Sequence, residues 1–359
     1  MQTLMLPPAY FAHRQIANQL IMTFSRTKTT FGVVLLVAHL HISQIQLNLK
    51  QGGFMSQQHI IQVKQLVLSF EDGTAFSFDN INISRGKITG IIGPNGSGKT
   101  TFVEAVLGLK NTSKADITID GVTQKEFFSS MKNRKNLGSQ LQVFAFSEMV
   151  KVSEMVSLHK ALYGTQSKRI YDDLALAEIS SKRLDKLSGG QKQRVSLFMA
   201  LAHMPKLITL DEPSSALDKT MAEKLIALLK YMVAEQGCSI IIVTHHPYEL
   251  DICDEVMTIY AGTKAYHETR DDFINQIIGA YHAQIFTGDQ NDDPTIETAI
   301  DNIAHVKQHF RQNGQIDIFG SAEMEADFLS LIKQYGLKSY SFAQTNSADI
   351  LKISTSYAG

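Results

Sequence analysis

The octapeptide GPNGSGKT at residues 93–100 follows the apolar run KITGII and precedes TTFVEAVLGLK, and no other feature constrains the fold of this chain as tightly. The pattern G-x-x-x-x-G-K-[ST] between a strand and a helix turns backbone N–H groups toward phosphate oxygens, and the helix N-terminus adds the positive end of its dipole. Gly93, Pro94, Asn95, Gly96, Ser97, Gly98 and Thr101 are therefore read as the cradle. Lys99 is assigned to the β and γ phosphates of a nucleotide and Thr100 to Mg²⁺.

Between Thr100 and about Ala261, strand-like runs (ADITID, KNLGSQLQV, KLITLDE, CSIIIVTH, EVMTIYA) alternate with helix-like ones (TTFVEAVLGLK, GGQKQRVSLFMALAH, MAEKLIALLKYMVAEQG). Such alternation predicts an α/β fold with a largely parallel central sheet. Three further runs from Ile60, divided by Asp-Gly and Arg-Gly turn signals, predict strands ahead of the phosphate loop. The strand KLITLDEP ends in two adjacent carboxylates, which can divide the work. Asp211 would hold Mg²⁺ through water and Glu212 would polarise the attacking water. LSGGQKQR at 187–194 places Ser188, Gly189, Gly190 and Gln191 at the start of a second helix, a further anion-binding terminus where one nucleotide needs only one.

Phosphate loop, LSGGQ, LDEP, SSALD at 214–218 and VTHH at 243–246 together resemble the ATP-binding cassette of ABC transporters, from about Ile60 to Ala261. The resemblance implies a P-loop NTPase fold with a mostly parallel core sheet, an antiparallel β subdomain and a helical signature subdomain. It also implies a sandwich dimer in which the signature segment of one subunit caps the γ-phosphate held by the other. A homodimer is expected, because every half-site element is present in this one chain. Family positions transfer as follows: Phe70 to the aromatic stacked on adenine, Gln142 to the glutamine that senses Mg²⁺ and γ-phosphate, His245 to the switch histidine, and Asp218 to the aspartate that communicates across the dimer. Gln140 competes with Gln142 from two residues away, and His246 stands where an acidic residue is usual.

The segment VKVSEMVSLHKALYG and the ending NSADILKISTSYAG resemble the subfamily of ATPase subunits that drive ABC-2 type exporters of drugs or antimicrobial peptides. Residues 144–158 are accordingly expected to dock on a separate permease, placing the chain in the cytoplasm on the inner face of the cell membrane. The alternative is a non-transport cassette of the cluster-assembly type. Composition supports a partner for membrane work: the longest apolar stretch, GVVLLVAHL at 32–40, is far short of the ~20 residues of a span. Lys+Arg 34 against Asp+Glu 35 gives a net charge of −1 and no whole-chain bias toward nucleic acid. Two cysteines without metal-ligand spacing fit a reducing compartment.

Three domains are expected: a leader at 1–54, the cassette at 55–262, and a small α+β accessory domain at 263–359. In the last, TIETAIDNIAHVKQHFRQN reads as one amphipathic helix, followed by strand, helix, strand and a short terminal helix. The leader lacks periodicity and ends in KQGGFM. In a bacterial source, Gln51-Gly52-Gly53 can be encoded by bases that include AAGGAGG, a ribosome-binding sequence, just before the Met55 codon. Met55 is thus expected to be the first residue of the native protein. A membrane-targeting arm built on GVVLLVAHL is the competing reading.

Overall fold

Continuous apolar runs become central strands, and alternating runs become strands with one wet face. Ile88–Ile92 (β3), Leu207–Asp211 (β7) and Ser239–Val243 (β8) are buried along their whole length. Successive residues of β8 feed opposite cores: Ile240 and Ile242 enter one cluster, Ile241 and Val243 the other. The computed structural model of the protein describes residues 58–141, 149–287 and 294–356. The expected leader and Gln142 lie outside the described residues.

Strands β1 (His59–Ser69), β2 (Ala75–Ser84), β4 (Lys114–Ile119) and β5 (Val122–Thr123) pair antiparallel at one side of a ten-stranded sheet. Its order is β5-β4-β1-β2-β10-β9-β3-β8-β7-β6, with β6 (Leu137–Gln140), β9 (Glu255–Tyr260) and β10 (Thr263–Thr269) completing it. The pairs β6/β7, β7/β8, β3/β8 and β3/β9 are parallel, as the alternation of strands and helices requires. This is the α/β cassette architecture expected. The polar stretch from Thr263, however, is still part of this sheet: β10 returns antiparallel along β9, so the main sheet runs seven residues past the boundary placed at 262.

The longer helices on or beside the sheet are α1 (Lys99–Val106), α2 (Val152–Tyr163), α3 (Gly189–Leu201) and α4 (Lys219–Gln236). Buried residues of α1 join the core under β1 and β2. Those of α2, α3 and α4 join the core on the other face.

Beyond Gly279, strands β11 (Tyr281–Phe286), β12 (Val306–Gln312), β13 (Gln315–Gly320) and β14 (Tyr340–Gln344) form a second, antiparallel sheet in the order β12-β13-β11-β14. With α5 (Pro294–Asp301) after β11 and α6 (Glu325–Gln334) after β13, the chain order is βαββαβ, the ferredoxin-like arrangement. The single helix expected over 295–313 is therefore a helix followed by a strand. Asn313 and Gly314, both at positive φ (51° and 70°), close a tight β12–β13 hairpin, and pairing across that turn holds Val306–Gln312 extended. The terminal helix α7 (Ser347–Ser356) inserts Ile350, Leu351 and Ile353 into the core that also holds Leu250 and Cys253. Ser347 Oγ donates 2.7 Å to Asp251 Oδ1, and Arg270 reaches both residues.

Candidate nucleotide site

The phosphate loop leaves β3 through Gly93, whose φ of 146° and position 2.1 Å (as a Cβ would lie) from the Ile259 carbonyl exclude a side chain. It enters α1 through Gly98, also left-handed, packed under the Phe76 ring. Lys99 is buried, and its ammonium donates to the carbonyls of Gly93 and Pro94, 2.8 Å each. Burial lowers its pKa, against the attraction of Asp211 and Glu212.

Thr100 Oγ1 donates 2.8 Å to Asp211 Oδ2 at the end of β7. The other oxygen, Oδ1, is buried without a hydrogen-bond partner, and burial pushes the carboxyl pKa up. An orphaned carboxylate oxygen beside a threonine hydroxyl is a donor set that suits a hard divalent cation.

Glu212 follows in the left-handed region (φ 49°) while its N–H still donates to Val243 O, extending the β7–β8 ladder. That kink aims its half-exposed carboxylate toward His245, with Nε2 to Oε1 3.8 Å. Burial, then the nearby Lys99 charge, lowers the His245 pKa, and Glu212 opposes them. His246 turns away to stack on Tyr248, which distinguishes the two histidines that the sequence left in competing register.

Phe70, Asn95, Gly96, Gly98, Lys99, Thr100, Thr101, Asp211, Glu212 and His245 line one cavity of about 500 Å³, together with Asp72, Thr74, Phe76 and Val243. A volume of this size suits a small-molecule ligand. Phe70 is 37% exposed and meets Phe76 edge to face at 4.9 Å. Sequence reasoning missed Phe76 and the turn Asp72–Thr74, although the Asp72-Gly73 signal marked a hairpin there. Gly93 and Pro94 stand behind Lys99, and Ser97 Oγ is buried without a partner.

Outside the phosphate loop, five further candidate residues do not line this cavity. Ser188 and Gln191 form a reciprocal capping box at the start of α3, each bond 3.3 Å. Gly189 and Gly190 pack on Ala216, and a Cβ on Gly190 would lie 2.7 Å from the Ala216 carbonyl. Asp218 caps α4 by accepting 2.9 Å from Met221 N–H. Gln140, the alternative to Gln142, is buried at the end of β6 and brackets the Asp211 peptide, accepting from its N–H and donating to its carbonyl, 3.2 Å each.

A family model described as "ABC transporter" matches residues 78–215. The probable multidrug ABC transporter ATP-binding protein YbhF of Escherichia coli is 30% identical over 253 residues, covering 68% of this chain. The chain spans only 42% of the length of YbhF. Methionine import ATP-binding protein MetN 2 of Acinetobacter baylyi is 30% identical over 282 residues, covering 72% of this chain and 78% of that protein. Among solved structures, the dimeric ABC transporter cassette MJ0796 has a TM-score of 0.52 at 27% identity, covering 58% of this chain and 98% of that one. The chain belongs to the ATP-binding proteins of the ABC transporter family and carries their ATPase cassette.

Proposed function

We propose that this chain is the ATP-hydrolysing subunit of an exporter whose membrane passage is formed by a separate permease. The convergence of Lys99, Thr100, Asp211, Glu212 and His245 on one cavity carries the reading. In it, ATP lies with adenine against Phe70 and its phosphates across the loop from Gly93 to Thr101. Lys99 exchanges its carbonyl partners for phosphate oxygens, to which a charge-assisted bond is stronger. Glu212 orients and polarises the attacking water. His245, whose pKa its environment lowers, donates its ring N–H to the γ-phosphate, an acceptor like the Glu212 carboxylate beside it.

Thr100 and Asp211 would hold Mg²⁺, which offsets phosphate charge when bound. Gln140 fixes the Asp211 peptide from β6, and Gln142, outside the described residues, is assigned to the same metal and γ-phosphate by resemblance alone. Ser188 to Gln191 and Asp218 stand outside the cavity because they serve the site of a second copy, so two copies make two equivalent sites.

Among the described residues no helix is long and apolar enough to cross a membrane. Helix α2 buries Val152, Met155 and His159 but leaves Leu158 and Leu162 exposed, a face suited to a permease on the inner side of the membrane. Export, rather than the import named for MetN 2, rests on the resemblance of VKVSEMVSLHKALYG and the chain ending to exporter subunits. On this reading the ten-stranded sheet carries the cassette and the ferredoxin-like sheet an appended unit.

The test is Glu212→Gln, nearly isosteric but no base. It should retain ATP and accumulate as a dimer by light scattering. A variant that stays monomeric with ATP would refute the sandwich arrangement, and uptake rather than efflux in vesicles carrying the captured permease would refute export.

A further inference from the structure

Glu249 lies on the one-turn helix Pro247–Leu250, four residues after His245, and is completely buried. Its Oε1 accepts a 3.1 Å hydrogen bond from the Ser214 N–H and a second, very short one from the Ser214 hydroxyl. Ser214 is also buried, and its hydroxyl lies 2.5 Å from the Tyr248 hydroxyl of the same helical turn. Two consecutive side chains of the histidine segment thus grip one residue placed two positions after Glu212.

The grip matters because Glu212 is in the left-handed region, which non-glycine residues hold only where neighbours over-determine it. Several contacts do so, among them the Ser215 hydroxyl, which donates 3.0 Å to the Glu212 carbonyl. The Glu212 N–H is held by Val243, and Gln193 of α3 donates to the carbonyls of Glu212 (3.4 Å) and Pro213 (2.8 Å). Glu249, beside Tyr248, adds a hold on Ser214 from the segment that carries His245, and it alone of the two accepts from the Ser214 N–H. Burying a carboxylate there is unfavourable: its pKa is raised by burial, opposed by the Ser214 and Thr244 hydroxyls, and Oε2 has no hydrogen-bond partner. Ordinary packing of a four-residue helix needs no such group.

We infer that Glu249 is a positioning residue for ATP hydrolysis, locking the Ser214 backbone so that the Glu212 carboxylate and the His245 imidazole keep their mutual placement. This rests on the roles given above to Glu212 and His245. Glu249 touches neither substrate nor reacting water, so its loss should displace the catalytic carboxylate and leave the phosphate loop intact. Displacement of a reacting group by a fraction of an ångström to one ångström lowers turnover by about ten- to a hundredfold.

The experiment is steady-state ATPase and nucleotide binding on the full chain carrying Glu249→Ala, Glu249→Gln, Glu212→Gln and the Glu249→Ala/Glu212→Gln pair. The expected result is a loss of about tenfold or more in kcat for Glu249→Ala, with ATP affinity within about twofold of the parent. Glu249→Gln retains an acceptor for the Ser214 N–H and should restore most of the turnover. On the Glu212→Gln background the alanine should cost almost nothing further, because the group it positions has gone. Parental kcat in Glu249→Ala overturns the inference, as do a parallel loss of ATP affinity and an equal deficit in Glu249→Gln. Should Glu249→Ala not fold, Glu249→Asp, one methylene short of Ser214, must show the same split between kcat and affinity, and parental kcat there is equally fatal. Parental turnover in Glu212→Gln would instead remove the premise, whereas an inactive Glu212→Gln beside a fully active Glu249→Ala would overturn only the present inference.

Discussion

The hydroxyl of Thr100 at the start of α1 donates a 2.8 Å hydrogen bond to Oδ2 of Asp211 at the end of β7, while Asp211 Oδ1 remains buried without a partner. The bond joins the phosphate loop to the strand that carries Glu212, so the two halves of the site share one carboxylate. Burial raises the Asp211 pKa, and a bound cation would reverse that by favouring the ionised form. Asp211→Asn keeps the shape and removes the charge. It should lower Mg²⁺-dependent ATPase by about a hundredfold, in line with the loss of a principal electrostatic contact. Chelation of Mg²⁺ should abolish turnover of the parent, and unchanged turnover in excess chelator would refute a metal role for this pair.

Lys99→Ala should act on binding rather than on chemistry alone. A charged hydrogen bond contributes about 1.5–3 kcal/mol, which corresponds to roughly ten- to a hundredfold in affinity. Titration with a fluorescent ATP analogue measures it directly, and parental affinity in the variant would contradict the assignment. Because the parent ammonium is held by Gly93 and Pro94, its removal should leave those carbonyls to water and the fold intact.

The phosphate loop, the buried strand before Asp211 and the capped start of α3 were legible because each rests on local chemistry: glycines at positive φ, an unbroken apolar run, and a Ser-x-x-Gln capping box. The helix expected over 295–313 failed for a local reason too. The period of TIETAID was carried into VKQHFRQ although Asn313-Gly314 signalled a hairpin, a turn that outranks helical spacing. Glu249 and Phe76 could not have been found in this way. Glu249 matters through Ser214, 35 residues away, and Phe76 through its approach to Gly98 and Gly262; both relations exist only after the sheet has closed. Likewise, choosing between His245 and His246 needed the stacking of His246 on Tyr248.

A pH dependence follows from a buried histidine pair that no sequence motif marks. Gln166 Nε2 lies 3.3 Å from His159 Nδ1, His159 Nε2 3.3 Å from His203 Nδ1, and His203 Nε2 3.1 Å from the Leu137 carbonyl, a chain that two neutral rings satisfy. Burial lowers both pKa values to about 4, with the neighbouring His203 adding to the effect on His159. In the unfolded chain both rings titrate near 6.5. Below that value the unfolded state takes up protons that the folded state refuses, so the contribution is complete above pH 6.5 and is lost as pH falls toward about 4. Unfolding in denaturant should therefore show lower stability at pH 5 than at pH 7. His203→Gln, which can still donate to Leu137, should flatten this slope, and a slope equal to that of the parent would refute the account.

The docking reading makes the sharpest demand on α2. Leu158 and Leu162, one turn apart, are 44% and 53% exposed, whereas Val152, Met155 and His159 on the same helix are buried. An apolar pair on the wet face contributes little to folding, since exposed substitutions away from caps and buried contacts change stability by about 0.5 kcal/mol or less. Leu158→Asp with Leu162→Asp should therefore leave the thermal midpoint and the ATPase rate of the isolated chain close to those of the parent. At a permease surface the same two carboxylates would be buried without partners, a large penalty for association. Co-purification of the tagged chain with membranes should fall by about tenfold or more, since each 1.4 kcal/mol lost is a factor of ten. Charge reversal at exposed Lys151, at the N-terminus of the same helix, should weaken association less and in a salt-dependent way, because a rim charge is screened. If the double aspartate variant still binds membranes as the parent does, α2 is not the docking face.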